Sequence, residues 1–292
     1  ILIFGEVRMV LNKLAVSSAV VVALMTAACQ SVNTTSGGAI GVERSQNMAP
    51  SWLLSEKQVG ISAAESYAKE VAKARQENRL NTDTRNAQRI NTIAKRLIPH
   101  TATFRQDAVG WQWEVNLETR DELNAYCAPG GKIMFFTGII NRLSLTDDEI
   151  AAIMGHEMAH ALREHGREAM SREMAKQMGM NVLAMSGKVG GQTMQLLDQG
   201  TGVFLLKYSR ENETEADRIG LELMARGGYD PTAAISLWRK MAAAAPTRAT
   251  AWAPPNTCAR RAAAPSRSNA ASTTIWPAVM WPTGPSCRPW PT

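Results

Sequence analysis

The sequence predicts an α+β domain that is mostly helical and carries one small sheet. Two observations support this prediction: apolar residues recur at helical spacing over long stretches, and they alternate over one short central stretch. An apolar content of 45% in 292 residues allows one sizeable domain with appendages. We divide the chain into a leader at 1–29, a flexible tether at 30–50, a folded domain at 51–245 and an irregular tail at 246–292.

The first 29 residues have the pattern of a secretory leader. Lys13 precedes an apolar run at 14–25, and this run is too short for a comfortable membrane span. The end of the leader resembles a bacterial lipoprotein signal, in which Cys29 is lipidated, although Thr26 stands where leucine is usual. Gln30 then favours the periplasmic face of the outer membrane, with a lipid anchor holding the protein there. Simple secretion and an uncleaved anchor remain alternatives.

Two helices and a small sheet are predicted after the tether, which is rich in Ser, Thr, Gly and Asn. Apolar residues recur at helical spacing among many charges at 55–78 and 85–97, which indicates surface helices. Alternation at 111–117 indicates a half-buried strand. Two further extended segments, 124–128 and 132–136, are joined by a Pro-Gly-Gly turn and predict a hairpin.

The next predicted helix starts with a capping signal. Thr146 and Glu149 have capping-box spacing, and Gly166 is placed to end the helix. The Met- and Gly-rich stretch at 170–202 contains charged residues, which indicates loop and helix rather than a membrane span. Further helices are predicted at about 202–226 and from near residue 231.

The positive charge is concentrated near the C-terminal end. The net charge is +6, but seven basic residues and no acidic residue follow Asp230, and without those seven the balance is −1. This distribution gives weak support for a nucleic-acid surface, so we predict no nucleic-acid partner. The tail at 246–292 has no periodicity, and both a disordered segment and an out-of-frame translation fit it. The four cysteines form no Cys-x-x-Cys pair, which argues against a zinc ribbon or a redox site.

The pentapeptide His156-Glu157-Met158-Ala159-His160 lies inside the helix that starts at Thr146. At about 100° per residue, the two histidines are about 40° apart and one turn apart, so their ring nitrogens can meet a single ion. A catalytic zinc lowers the pKa of a bound water toward about 7, and Glu157 is placed to take that proton. The motif alone also fits two histidines that are merely polar residues, so a third ligand is the test.

We find the third ligand candidate in the helix predicted at 202–226. Four charged residues share one side of it and are interpreted as a solvated face: Glu211, Glu215, Arg218 and Glu222. Glu213 points the other way, among small and apolar residues, where a carboxylate is costly to bury unless it is paired or metal-bound. We therefore predict one zinc ion per chain, held by His156, His160 and Glu213, with Asp217 supporting the ligands from one turn further on.

Other residues and reactions receive less weight. His165 points about 140° away from His160, so we interpret it as a residue near the helix C-terminus and not as a ligand. Cys127 is interpreted as an apolar neighbour in a strand and not as a reactive thiol. A zinc deaminase would need His-x-Glu and Pro-Cys-x-x-Cys motifs, and the chain has neither.

The zinc motif, together with Glu213-x-x-Ala216-Asp217 and the preceding Ser209-Arg210, resembles the M48 family of metallopeptidases. The segment from Asn124 to Gly138 is also similar to that family, and the similarity covers about 55–245. The resemblance implies a zincin-like fold of the gluzincin type, an edge strand that binds substrate backbone, and an Asp217 that orients a zinc-binding histidine. It also implies a soluble periplasmic lipoprotein that cleaves unfolded or misassembled envelope proteins.

One departure from the family pattern matters for activity. Family members usually carry a His-Pro and then an arginine downstream of the second zinc helix, whereas no histidine follows His165 here. Loss of an oxyanion donor can cost about a hundredfold in turnover. The main prediction is a zinc-dependent endopeptidase with Glu157 as the catalytic base. The alternative is a zinc-loaded, chaperone-like assembly factor of the same fold with weak activity.

Overall fold

The computed structural model describes residues 30–185 and 208–244, which fall into two compact units divided after Pro231. The leader and the tail predicted at 246–292 lie outside the described residues. In the first unit the elements are β1 (Gln30–Val32), β2 (Gln46–Met48), α1 (Glu56–Gln76), α2 (Thr84–Leu97), 3-10 helices at Ile98–Thr103 and Gln106–Gly110, β3 (Glu114–Glu118), β4 (Ala125–Ala128), β5 (Lys132–Phe136), α3 (Thr137–Arg142), α4 (Asp147–Leu162), α5 (His165–Met185) and α6 (Arg210–Arg226). In the second unit α7 spans Ala233–Ala244.

The prediction of a mostly helical α+β fold with a small sheet is confirmed. No helix in the described ranges is both long enough and apolar enough to cross a bilayer.

The segment predicted as a flexible tether, 30–50, is instead folded against the domain. Strands β1 and β2 pair antiparallel, and Met48 is buried. Polar residues of this segment make specific hydrogen bonds: Thr35 Oγ1 accepts from the guanidinium of Arg163 at 3.0 Å, and Gln46 Nε2 donates to the carbonyl oxygen of Arg163 at 2.6 Å. Composition alone therefore gave the wrong prediction, since the partners of these polar groups lie more than 100 residues away.

Helices α1 and α2 confirm the predictions at 55–78 and 85–97. Ser55 begins α1 as an N-cap with a complete capping box, in which Gln58 is the reciprocal partner. The inward side of α1 reaches the sheet, where Tyr67 and Val71 pack with Met134 and Phe136. Both helices are therefore amphipathic, with one face packed against the core and the other exposed to solvent.

The three-stranded sheet has the order β3-β5-β4, with β3 parallel and β4 antiparallel to β5. The predicted hairpin at 124–136 is confirmed, and its turn uses the positive φ angles of Gly130 and Gly131. The predicted strand at 111–117 is shifted, because Trp111 and Trp113 precede β3 and stack on each other with centroids 5.6 Å apart. Among the described residues β4 pairs with β5 alone, so β4 forms one edge of the sheet.

Helix α4 begins at Asp147, capped by Thr146 and Glu149 as predicted. The face opposite the two histidines is buried. Gly166 does not end the helix: α4 ends at Leu162, the chain turns at Glu164 with a positive φ, and Gly166 lies within α5. The turn is stabilised from outside, because Glu164 accepts a hydrogen bond from Arg105 at 2.8 Å.

Helices α4 and α6 cross at two glycines. A Cβ atom on Gly155 would lie 2.6 Å from the carbonyl oxygen of Gly220, and one on Gly220 would lie 2.6 Å from the backbone nitrogen of His156. Backbone atoms cannot give way as a flexible side chain can, so only glycine allows this approach. Helix α6 begins after the N-cap Ser209, later than the predicted start near residue 202. The close crossing brings the Glu213 side of α6 against the histidines of α4.

Candidate metal centre

Three side chains with metal-ligand chemistry converge where α4 meets α6. The Nε2 atoms of His156 and His160 are 3.0 Å apart. The carboxylate of Glu213 reaches them from α6, with one oxygen 3.5 Å from His156 Nε2 and the other 3.8 Å from His160 Nε2. One ligand atom from each residue lies within 4.8 Å of the others. The three residues singled out in the sequence therefore share one place in the fold.

This arrangement fits a zinc ion. Two ligand atoms about 2.0–2.2 Å from one tetrahedral ion are separated by about 3.3–3.6 Å, close to the three distances among these side chains. Two imidazole nitrogens and one carboxylate oxygen also form the donor set of a catalytic zinc, which leaves a fourth position for water or substrate.

Asp217 lies one turn beyond Glu213 and contacts the first histidine. Its Oδ1 atom is 2.9 Å from His156 Nδ1, the ring nitrogen that faces away from Glu213. Burial lowers the pKa of His156, but the neighbouring carboxylates of Asp217 and Glu213 outweigh burial and raise its pKa well above the usual value. The predicted companion residue is therefore in place to fix the orientation of this ring.

Glu157 is half-buried beside the three converging side chains. Burial raises the pKa of its carboxyl group to about 7, with His156 opposing the rise and Glu213 adding to it. Cys127 of β4 is a buried free cysteine, as the strand interpretation predicted, and burial followed by the charge of Glu157 raises its thiol pKa. The Glu157 carboxylate is therefore near enough to Cys127 of the edge strand to influence the pKa of its thiol.

Sequence reasoning missed Tyr208, which lies just before α6. Its ring stacks on the imidazole of His160, with centroids 4.0 Å apart and planes 17° apart. Burial raises the pKa of the Tyr208 phenol, and the charges of Glu157 and Glu213 raise it further. Tyr208 directly precedes Ser209-Arg210, so proximity to the α6 cap was the only signal available in the sequence.

His165 is not one of the three converging side chains, but its predicted place at the end of the zinc-motif helix is wrong. The residue starts α5, its side chain is fully buried, and its Nδ1 is 2.9 Å from Nδ1 of His160. Burial lowers the pKa of both rings below the usual value. His165 thus contacts the ring nitrogen of His160 that faces away from Glu213. The 140° offset assumed one continuous helix, and it could not predict this contact because α4 ends before His165.

The predicted solvated face of α6 is also wrong for Glu215 and Glu222, which are 5% and 7% exposed. The connection between β1 and β2 covers this face. Glu222 accepts hydrogen bonds from the backbone nitrogens of Ala39 and Ile40 at 2.9 Å and 3.1 Å. Glu215 belongs to what we call the ionic cluster, defined as Arg44, Arg163, Glu168 and Glu215.

Known proteins match this chain in the same region. A family model described as Peptidase family M48 matches residues 84–285. The chain is 38% identical over 134 residues to the mitochondrial metalloendopeptidase OMA1 of Schizosaccharomyces pombe, which covers 46% of this chain and 39% of that protein. It is 34% identical over 146 residues to the mitochondrial metalloendopeptidase OMA1 of Arabidopsis thaliana, with 49% and 28% covered.

A bacterial relative is also similar. The chain is 28% identical over 162 residues to the beta-barrel assembly-enhancing protease of Escherichia coli K12, which covers 53% of this chain and 32% of that protein. The matched region therefore spans about a third of the length of these curated relatives. The family model covers more than half of the chain and includes both helices of the candidate metal centre. The chain belongs to peptidase family M48.

Proposed function

We propose that this protein is a zinc-dependent endopeptidase that holds one zinc ion through His156, His160 and Glu213. The observation that carries the proposal is the convergence of these three side chains beside Glu157. Membership of a metallopeptidase family supports it. Relatives that are named metalloendopeptidases support it as well, although they are longer proteins.

The residues around the site suit peptide hydrolysis. Zinc bound there would supply a Lewis acid that polarises a carbonyl group and acidifies water. Glu157 accepts the proton of the attacking water on its carboxylate and delivers it to the departing amine. Asp217 accepts the Nδ1 proton of His156, which leaves Nε2 of that ring as the atom that would bind zinc.

The edge strand β4 is proposed to hold the substrate. It packs beside α4, and only one of its edges is paired within the described ranges. An extended peptide can hydrogen-bond to the other edge as an additional strand. Such binding uses substrate backbone, so it favours unfolded segments over folded proteins and requires little sequence specificity.

The substrates that we propose are unfolded or misassembled proteins of the cell envelope. The Escherichia coli relative, whose name refers to β-barrel assembly, supports this choice, whereas other relatives are named as mitochondrial enzymes. The leader pattern ending at Cys29 supports a lipid anchor on the periplasmic face of the outer membrane. Palmitate labelling of the wild type and of Cys29→Ser in a bacterial host tests the anchor, because only the wild type should take up label.

A zinc-loaded, chaperone-like assembly factor is the second candidate. The sequence feature that favours it is the absence of any histidine from residue 166 to residue 292, where the family usually supplies a downstream His-Pro. Such a factor would bind unfolded protein at β4 and release it uncut. Its function would therefore survive the loss of Glu157, whereas that of an enzyme would not.

Hydrolysis of a permanently unfolded protein by the purified, zinc-supplemented chain distinguishes the two candidates. Glu157→Gln and a chelator should each abolish cleavage, since one removes the proton acceptor and the other the metal. Glu173→Gln is the matched control, because Glu173 lies on the solvent side of α5 in a pair with Lys176. No cleavage by a zinc-loaded wild type would favour the assembly factor. Cleavage that persists in Glu157→Gln would contradict the mechanism.

A further inference from the structure

A chain of hydrogen bonds leads away from the rear of His160. Its Nδ1 is 2.9 Å from Nδ1 of His165, and Nε2 of His165 is 3.1 Å from Oε2 of Glu215. All three side chains are buried. His156 differs, because its Nδ1 contacts the carboxylate of Asp217 directly. His156 is thus linked to a carboxylate by one hydrogen bond, whereas His160 is linked to a carboxylate by two hydrogen bonds through His165.

The hydrogen-bonding capacity of these groups fixes the position of each proton. A carboxylate only accepts, so Glu215 requires a proton on Nε2 of His165. A neutral imidazole then has a lone pair on Nδ1, which accepts the Nδ1 proton of His160. His160 is left with its lone pair on Nε2, the atom that faces His156 Nε2 and Glu213. The chain therefore selects the tautomer that a metal needs.

Glu215 is itself held firmly. Arg44 donates to both of its oxygens, at 3.0 Å and 2.8 Å, and Arg163 donates to Oε1 at 2.9 Å. Arg44 also pairs with Glu168 through two hydrogen bonds of 2.8 Å and 2.9 Å. These bonds fix the direction of the carboxylate, since a guanidinium fork and a carboxylate match in one plane.

Arg44 lies on the connection between β1 and β2, a segment far from the zinc motif in sequence. The same segment surrounds Arg163, whose guanidinium donates to the carbonyl oxygen of Arg44 at 2.8 Å and to Thr35 Oγ1 at 3.0 Å. The N-terminal hairpin thus completes the ionic cluster. Without it, Glu215 would face His165 with one arginine instead of two.

We propose that His165 and Glu215 are positioning residues that set the tautomer and ring orientation of His160, and that the N-terminal hairpin holds Glu215 in place through Arg44. The inference rests on the proposed zinc site, because a fixed tautomer of His160 matters only if this ring binds zinc. The hydrogen bonds themselves involve only residues of this chain. Outer partners of metal-binding histidines commonly change metal affinity by about 10–100-fold when removed. Here the outer partner is a histidine that is itself oriented by a carboxylate.

The test compares His165→Ala with His165→Asn. The alanine variant removes the acceptor behind His160, whereas the asparagine variant keeps a side-chain oxygen close to the former position of Nδ1. The first readout is the tautomer of His160 in the metal-free protein at pH 8, measured from ¹⁵N chemical shifts of the imidazole ring. The second is zinc affinity, measured by competition with a chelating dye.

We expect His160 of the wild type to carry its proton on Nδ1. In His165→Ala the two tautomers should mix and zinc affinity should fall about 10–100-fold, while His165→Asn should retain most of both properties. Arg44→Gln should shift both readouts in the same direction by a smaller amount. Arg79→Gln is its control, because Arg79 makes a comparable pair with buried Glu118 in a different part of the chain.

An unchanged His160 tautomer in His165→Ala would overturn the proposal, as would zinc affinity within twofold of the wild type. A merely structural role for His165 would lower thermal stability without changing the tautomer, so unfolding of each metal-free variant is recorded alongside. If the wild type binds no zinc, the proposed function fails, but the tautomer comparison still decides this inference.

Discussion

The two sides of His160 are built in different ways. On the side of the candidate metal centre, the crossing of α4 and α6 brings together residues whose spacing within each helix is visible in the sequence. Away from it, the ionic cluster joins Arg44 to residues 124 and 171 positions along the chain. The contrast shows that a local motif predicts which side chains face a metal site. It does not predict which distant residues hold those side chains in position.

Gly220→Ala should prevent the close approach of α4 and α6, and we expect it to have the largest effect on stability and zinc binding. The added methyl group would meet the backbone of His156 at 2.6 Å, so the two helices must separate. We expect a loss of about 2 kcal/mol in the free energy of unfolding and a parallel loss of zinc binding. Chemical denaturation and zinc titration measure the two effects.

Gly60→Ala is the matched control, since nothing lies within 4 Å of a Cβ atom at this helical position. Alanine should increase stability there by up to about 1 kcal/mol through helix propensity. If Gly220→Ala were as stable as this control and bound zinc normally, the close helix approach would not be what assembles the site.

Asp217→Asn sharpens the comparison between the two histidines. The amide can turn its nitrogen or its oxygen toward His156 Nδ1, so the tautomer of that ring is no longer fixed. Zinc affinity should fall about tenfold, as it should for His165→Ala on the other ring. Isothermal titration checks the value. An Asp217→Asn protein with wild-type affinity would indicate that the crossing alone orients His156.

The contribution of the ionic cluster should be visible in the pH dependence of the free energy of unfolding. We expect this effect to be the smallest of those predicted. Burial raises the pKa of Glu168, but hydrogen bonds from Arg44 and Asn212 outweigh it and lower the pKa from 4.5 to about 2. A lowered folded-state pKa contributes stability above the unfolded value, and this contribution is lost as pH falls from about 4.5 to about 2. Gln46 and Glu215 also face this group, through a hydrogen bond and through the shared Arg44.

Glu168→Gln removes that titration. The variant should be less stable than the wild type at pH 7 by about 1 kcal/mol, because a neutral amide makes weaker hydrogen bonds with arginine. The difference should shrink as the pH approaches 2. Thermal unfolding at several pH values measures it, and a difference that grows on acidification would contradict the assignment.

Several elements could be predicted because their signals are local. The capping box at Thr146 identified one helix start, helical spacing identified the helices at 55–78 and 85–97, and the turn glycines identified the β4–β5 hairpin. The ligand candidate Glu213 was found by helical spacing, which does not depend on the rest of the chain. Each of these features is decided within about one or two helical turns of sequence.

The missed features depend on contacts between distant segments. The polar composition of residues 30–50 fits both a tether and a hairpin with hydrogen-bonded side chains, and only the partners just after α4 and on α5 and α6 distinguish the two. Glu215 is charged and lies on a charged helix face, so its burial follows only from the arginines that reach it. His165 was misplaced because Gly166 was expected to end the helix, whereas α4 ends at Leu162.

Zinc content per chain, measured by mass spectrometry after dialysis against a weak chelator, tests the central claim most directly. We predict one zinc in the wild type and one in Glu211→Ala, since Glu211 is exposed on the same helix. Glu213→Ala should retain little or none under the same dialysis. A wild type without zinc, or a Glu213→Ala protein that keeps its full complement, would contradict the claim that α4 and α6 together hold the ion.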